Sequence, residues 1–332
     1  MSTTSATVEA TRTVPGRAKA GVDRTAGLVE AWLRAHTFIV YAFLYLPIII
    51  VVVFSFNATD RRITDWEGLS LRWYEYVFTN REVQRYLTNS VIVGLGTAIV
   101  ATLFGTMAAL GLQRAPKWFR IPFDGLTYIS VIVPELVIAL ATLVFFASTI
   151  GRDGILTNAT GIEIGFGFHT IIGALSLFNI SLVLLLVRAR LSGMDRTLVE
   201  ASYDLFATPW RTFWRITFPQ LLPAIVAGFL LSFTFAFDDY LITTFLSGRG
   251  TSTLPLYVFG QIRVGVTPAT NAIAAVMLLI TLGILLGGQF LLGRSARRSG
   301  ARGQVGGVAG IVAENAGGAE LPRRPVGEGP PA

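Results

Sequence analysis

The chain has no cysteine, so disulfides, thiol nucleophiles and cysteine-ligated metals are excluded by composition. Lysine is almost as scarce. Lys19 and Lys117 are the only two, and neither follows a glycine-rich loop that could cradle phosphate, so the chain carries no Walker-type nucleotide site of its own. The two histidines, His36 and His169, lie far apart in sequence and beside apolar runs, where interfacial placement accounts for them without a metal or catalytic role. Charge of either sign is also sparse, at 14% of the 332 residues against 52% hydrophobic. That balance exceeds what the core of a soluble domain of this size needs.

Several apolar runs reach the roughly 20 residues that cross a bilayer core of about 30 Å, which defines an all-α, polytopic membrane protein. They fall at 37–56, 87–112, 125–147, 168–187, 220–245 and 271–292. Pro47 lies inside the first and Pro134-Glu135 interrupts the third. The net charge of +7 does not point to nucleic acid, because the basic residues flank the spans. With six spans and both termini cytoplasmic, Lys and Arg divide roughly 19 inside to 8 outside, the asymmetry the positive-inside rule expects for that topology. Residues 1–36 and 294–332 are basic or rich in Gly, Ala, Ser and Pro, and are expected to be disordered cytoplasmic tails around a six-span domain at 37–293. Segment 57–85, with Trp66, Trp73, Tyr74, Tyr76 and Phe78, reads as an outer loop with an interfacial helix. Gly94, Gly96, Gly105 and Ala109 in the second span, and Gly283 and Gly287 in the last, offer small-residue faces for close helix contact.

Three carboxylates stand within the apolar runs: Glu135 in the third, Asp238 and Asp239 in the fifth. Each costs about 2.5–3.5 kcal/mol at the centre of a membrane helix, so such residues face a cavity or a partner. Two readings remain open for the aspartates. Either they terminate the span near the outer interface, or with Phe237 and Tyr240 they line a path for a cation, drawn by Coulomb and cation–π attraction.

Between the fourth and fifth runs lies a polar stretch, Asp195 to Pro223, with helical period. Asp195 is placed to cap a short helix carrying Leu198, Ala201 and Leu205 on one face, and Thr208-Pro209 reads as the N-cap and first position of a second. This stretch resembles the loop that marks inner-membrane permease subunits of binding-protein-dependent ABC importers, where Glu-Ala-Ala opens a helix that docks on an ATPase. The match is Glu200, Ala201 and Ser202, followed by Ala207, Pro209, Ile216 and Pro219. At Phe206 the chain departs from the family, which usually has glycine there; a bulky residue enters the left-handed conformation only at a cost.

The resemblance implies the type I importer permease fold, with a cytoplasmic coupling loop at 188–219 and no catalysis by the chain itself. It also implies partners: a second permease, a dimer of ATP-binding subunits that hold ATP and Mg, and a periplasmic or lipid-anchored substrate-binding protein. Residues 231–243 (LSFTFAFDDYLIT), together with Trp66, Gly68, Trp73 and Tyr74 and the stretch from Leu254 to Asn271, are similar to the second permease subunit of spermidine/putrescine importers. Polyamines are therefore the expected substrate, with other small amines, phosphonates or iron as the alternatives within the superfamily. A secondary carrier driven by protons or ions, using the same carboxylates as relays, is the rival from another class.

Overall fold

A bilayer offers no water to pair with backbone groups, so each apolar run must satisfy its own N–H and C=O groups by coiling into a helix. The computed structural model describes residues 19–60, 65–161, 164–195 and 197–298. In order, the helices are α1 (Lys19–Phe54), α2 (Arg72–Thr79), α3 (Arg81–Arg114), α4 (Lys117–Ile132), α5 (Glu135–Ile150), α6 (Ile155–Thr160) and α7 (Phe168–Ser192). They continue as α8 (Thr197–Asp204), α9 (Pro209–Thr212), a π turn at Phe213–Thr217, α10 (Phe218–Phe237), α11 (Leu241–Leu246), α12 (Leu254–Val264) and α13 (Pro268–Arg298). Six segments among the described residues are long and apolar enough to cross a membrane: Val29–Phe54, Arg81–Arg114, Glu135–Thr160, Phe168–Ser192, Pro209–Phe237 and Pro268–Phe290.

Three boundaries differ from the sequence expectations. The segment expected as an N-terminal tail to residue 36 is helical from Lys19. Within it, the i,i+4 pair Glu30–Arg34 and the stacking of Trp32 on His36, centroids 5.4 Å apart, support the helix. Residues 1–18 and 299–332, the remainder of the expected tails, lie outside the described residues. The third span is not continuous: α4 ends at Ile132 and α5 begins at Glu135, because a residue before proline avoids the helical region and Val133 is extended (φ −61°, ψ 130°). The fifth breaks as well, between Phe237 and Leu241. Finally, the stretch 246–270, which lies between the fifth and sixth apolar runs, contains α12.

The described chain forms two compact units, one comprising residues up to Val77 with Gly265–Ala275, the other Phe78–Val264 with the chain from Val276 onward. The first is organised around Asn57, a fully buried side chain. Its Oδ1 accepts from the Thr59 and Glu67 N–H groups and its Nδ2 donates to Asp65 O, while Trp73 Nε1 donates to the Asn57 carbonyl at 2.9 Å. Those bonds dock the aromatic helix α2 under the end of α1.

The second unit is built on α3, α7 and α10, which pack through small residues. A Cβ on Gly105 would stand 2.9 Å from the Ile180 carbonyl and from Val183 Cβ, and one on Gly94 would stand 2.9 Å from the Phe233 ring. These contacts bring the backbones closer than any other residue permits. Gly283 and Gly287 of α13, by contrast, have open space beside them. At the far end of the same bundle, Arg188 on α7 donates to both carboxylate oxygens of Asp124 on α4, with Arg120 Nε 3.6 Å away. The Arg188 hydrogen bond is the chief reason the Asp124 carboxyl titrates below its ordinary range. A depressed folded-state value stabilises the protein above the ordinary carboxylate range, and that contribution is lost as pH falls through the folded value. Asp124→Asn is expected to cost about 1–3 kcal/mol at neutral pH. Denaturation of the purified permease should show the deficit at pH 7 and a smaller one as the medium is acidified.

Candidate functional site

Two helix breaks meet in the second unit. The first leaves Glu135 as the opening residue of α5, directly after Pro134. The second is made by the sequence Asp238-Asp239-Tyr240, which contains neither proline nor glycine. Here Asp239 captures the chain: its carboxylate accepts from Ile242 N–H (3.3 Å), Thr243 N–H (2.8 Å) and Thr243 Oγ1 (2.7 Å), so it caps α11 as a side chain. α5 and α11 pack together, which brings the Glu135 and Asp239 carboxyls close enough to interact electrostatically. Both carboxylates lie at helix N-termini, where the helix dipole favours negative charge.

The two aspartates, adjacent in sequence, have different surroundings. Asp239 is 5% exposed and fully engaged. Asp238 is exposed, and the only hydrogen-bond contacts its carboxylate makes among the described residues are two long ones of 3.4 Å from Thr281 Oγ1 on α13. Phe237, also a candidate for the path, is completely buried, stacked on Phe233 at 5.5 Å and packed with Ala98, Met277 and Ile280. Tyr240 is half-buried and stacks on Phe259 of α12, centroids 4.0 Å apart. The fold thus gathers Glu135, Asp238, Asp239 and Tyr240, and sets Phe237 behind them in the core. Phe259, Thr243 and Thr281 were not visible as part of this constellation. For Phe259 a signal existed in the helical spacing of Leu254 and Val258, which now form the buried face of α12.

The polar stretch at 195–223 folds as two short helices at a corner. Asp195 Oδ1 accepts from Thr197 N–H at 2.9 Å, a bond that also lowers the titration range of Asp195. Thr208 Oγ1 accepts from Arg211 N–H, with Pro209 at the first helical position. Ser202 and Thr212, both buried, join the two helices through their hydroxyls at 2.9 Å. α8 ends in a Schellman motif: Ala207 N–H donates to Ser202 O and Phe206 N–H to Tyr203 O. The motif requires a left-handed residue at Phe206, which has φ +55°. Phenylalanine therefore occupies the conformation in which glycine is free of strain. Replacing it should relieve about 1 kcal/mol, so Phe206→Gly is expected to raise the thermal midpoint of the isolated permease. A lower midpoint would mean that the side chain contributes to folding.

Glu200 and Ala201 are exposed on α8, whereas Ala207 and Ile216 are half-buried and Pro219 is exposed. Around them stand Leu205, Phe206 and Trp210, with 81%, 96% and 70% exposure. Beyond the corner, Pro219 and Pro223 supply no N–H to the carbonyls one turn back, and the chain widens into the π turn before entering α10.

Among the described residues, helices with six segments apolar enough to span a bilayer, two of them bordered by breaks that hold carboxylates, define a multi-pass membrane protein. The chain belongs to the family described as binding-protein-dependent transport system inner membrane component, whose model matches residues 101–299. It is 34% identical over 258 residues to the spermidine/putrescine transport system permease protein PotC of Haemophilus influenzae, covering 78% of this chain and 95% of that one. It is also 34% identical to the putrescine transport system permease protein PotI of Escherichia coli, over 72% and 82% of the two chains. Among solved structures, it is similar to a chain of a bacterial ABC transporter involved in the import of the acidic polysaccharide alginate. That match has a TM-score of 0.68 at 14% identity and covers 83% of this chain and 99% of that chain. At that identity the likeness shows the fold alone, the fold of ABC importer permeases.

Proposed function

We propose that this chain is one of two permease subunits of an ABC importer that takes up polyamines, non-catalytic in itself and driven by separate ATP-binding subunits. The observation that carries the substrate class is the constellation of Glu135, Asp238 and Asp239: among the described residues no lysine or arginine forms an ion pair with any of them. Two neighbouring carboxyls repel unless a proton or cation lies between them, and a third one nearby adds to the demand for positive charge. An aliphatic diamine or triamine supplies that charge together with an apolar stem suited to the surrounding rings. The names of the relatives at 34% identity support the same substrates. Asp238, exposed and weakly held, is the residue that receives an ammonium group, and Asp239 positions it by fixing the break.

The coupling loop belongs to the same reading. Its exposed residues Glu200 and Ala201, with the helix opened by Pro209, contact the ATPase, which holds ATP and Mg. A periplasmic or lipid-anchored binding protein delivers substrate from the other side. Both termini and the loop are cytoplasmic, as the distribution of Lys and Arg supports.

Uptake of labelled putrescine and spermidine, in cells lacking other polyamine importers, tests the reading directly. Loss of ATP-dependent uptake on deleting this chain is the expected result. Undiminished uptake would discard polyamines as substrate, and uptake that persists after ATP depletion but fails when the proton gradient is collapsed would instead establish an ion-coupled carrier.

A further inference from the structure

α12 is a short helix held firmly on one side. Leu254, Pro255 and Val258 form its buried face. Leu254 N–H donates to Ser90 Oγ of α3 at 2.8 Å, Asn89 Nδ2 donates to the carbonyls of Gly250 and Ser252 just before the helix, and Tyr257 stacks on Tyr86 at 4.7 Å. Residue 259 follows Val258, about 100° further round the helix, so it emerges at the edge of the buried face. There Phe259 keeps 45% of its surface exposed while its ring lies nearly parallel to Tyr240, centroids 4.0 Å apart and planes 18° apart. Tyr240 directly follows Asp238 and Asp239. A large aromatic side chain is thus presented by a pinned helix against Tyr240, the residue next to the carboxylates in sequence, with part of its surface left uncovered.

We propose that Phe259, together with Tyr240, is the aromatic wall of the substrate site, against which the methylene chain and second ammonium of a polyamine lie while Asp238 holds the first. The inference rests on the polyamine reading above and extends it to a residue on a different helix. An ammonium group is attracted to a ring face by the ring quadrupole, and methylenes bury against the same face. A carboxylate alone would accept any amine. An aromatic wall beside it selects an aliphatic chain with a second positive charge, and so discriminates diamines and triamines from monoamines.

The test uses the complete transporter in proteoliposomes with its binding protein, comparing wild type, Phe259→Leu and Phe259→Tyr. Leucine keeps apolar bulk and removes the ring; tyrosine keeps the ring. The expected result for Phe259→Leu is a KM for putrescine and spermidine raised by about three- to thirtyfold, with permease yield and basal ATP hydrolysis unchanged. Phe259→Tyr should restore the wild-type KM. A change in yield or maximal rate with an unaltered KM would assign Phe259 to packing alone and overturn the inference. An unchanged KM in Phe259→Leu while the wild type transports both polyamines would also overturn it, leaving the substrate assignment standing. If the wild type transports neither polyamine, the substrate assignment itself falls, and this inference with it.

Discussion

Asp238→Asn is expected to lower polyamine uptake by about ten- to a hundredfold, the equivalent of roughly 1.5–3 kcal/mol for one hydrogen bond to a charged group. Because Asp238 is exposed and its two contacts with Thr281 are long, the variant should reach the membrane in normal amounts. Asp239→Ala should behave differently. It strips the cap from α11 and leaves the buried N–H groups of Ile242 and Thr243 without an acceptor, each such orphan costing about 1–3 kcal/mol. Its signature is therefore loss of folded permease, seen as a lower yield and a lower thermal midpoint. Uptake per folded molecule and yield must be measured for both variants. If Asp238→Asn transports normally, the ammonium does not bind there; if Asp239→Ala folds normally, the side-chain cap does not hold the break.

Glu200→Lys is predicted to abolish the link between ATP hydrolysis and transport. The residue is exposed in the first turn of α8, where reversing its charge disturbs the helix by only about 0.3–1 kcal/mol through the dipole, so the fold should persist. An interfacial charge contact is worth more, and its loss should reduce uptake by about tenfold or more. Hydrolysis by the assembled complex should also stop responding to the loaded binding protein. Unchanged uptake would remove Glu200 from the coupling surface.

Length and apolarity made the six spans legible, since a run of twenty apolar residues has few other fates. The corner between α8 and α9 was legible too, because Thr208 and Pro209 are specific signals for a helix start and the structure uses them that way. The break at Asp238 was not. The aspartates could be read there as ending the span, but not as a break followed by a further helix; the interruption coincides with Asp239 accepting from backbone N–H groups three and four residues ahead, which competes with the helix. Pro134 did announce its own break, but its pairing with the second one is a tertiary fact. Phe206 illustrates the opposite case: sequence marked it as an ill-suited residue for a left-handed turn, and the Schellman hydrogen bonds hold it there all the same.

The close contacts at Gly94 and Gly105 have a consequence for retargeting such a permease. Where a single added methyl would collide with Phe233 or with the Ile180 carbonyl, there is no room for variation, and libraries built on α3, α7 and α10 will return mostly misfolded protein. The second helix break is held by the Asp239 carboxylate, and on α12 Phe259 is partly exposed beside Tyr240. Selection for a different amine should therefore find its solutions at positions 238, 240 and 259, on segments that can change their chemistry without the scaffold having to move.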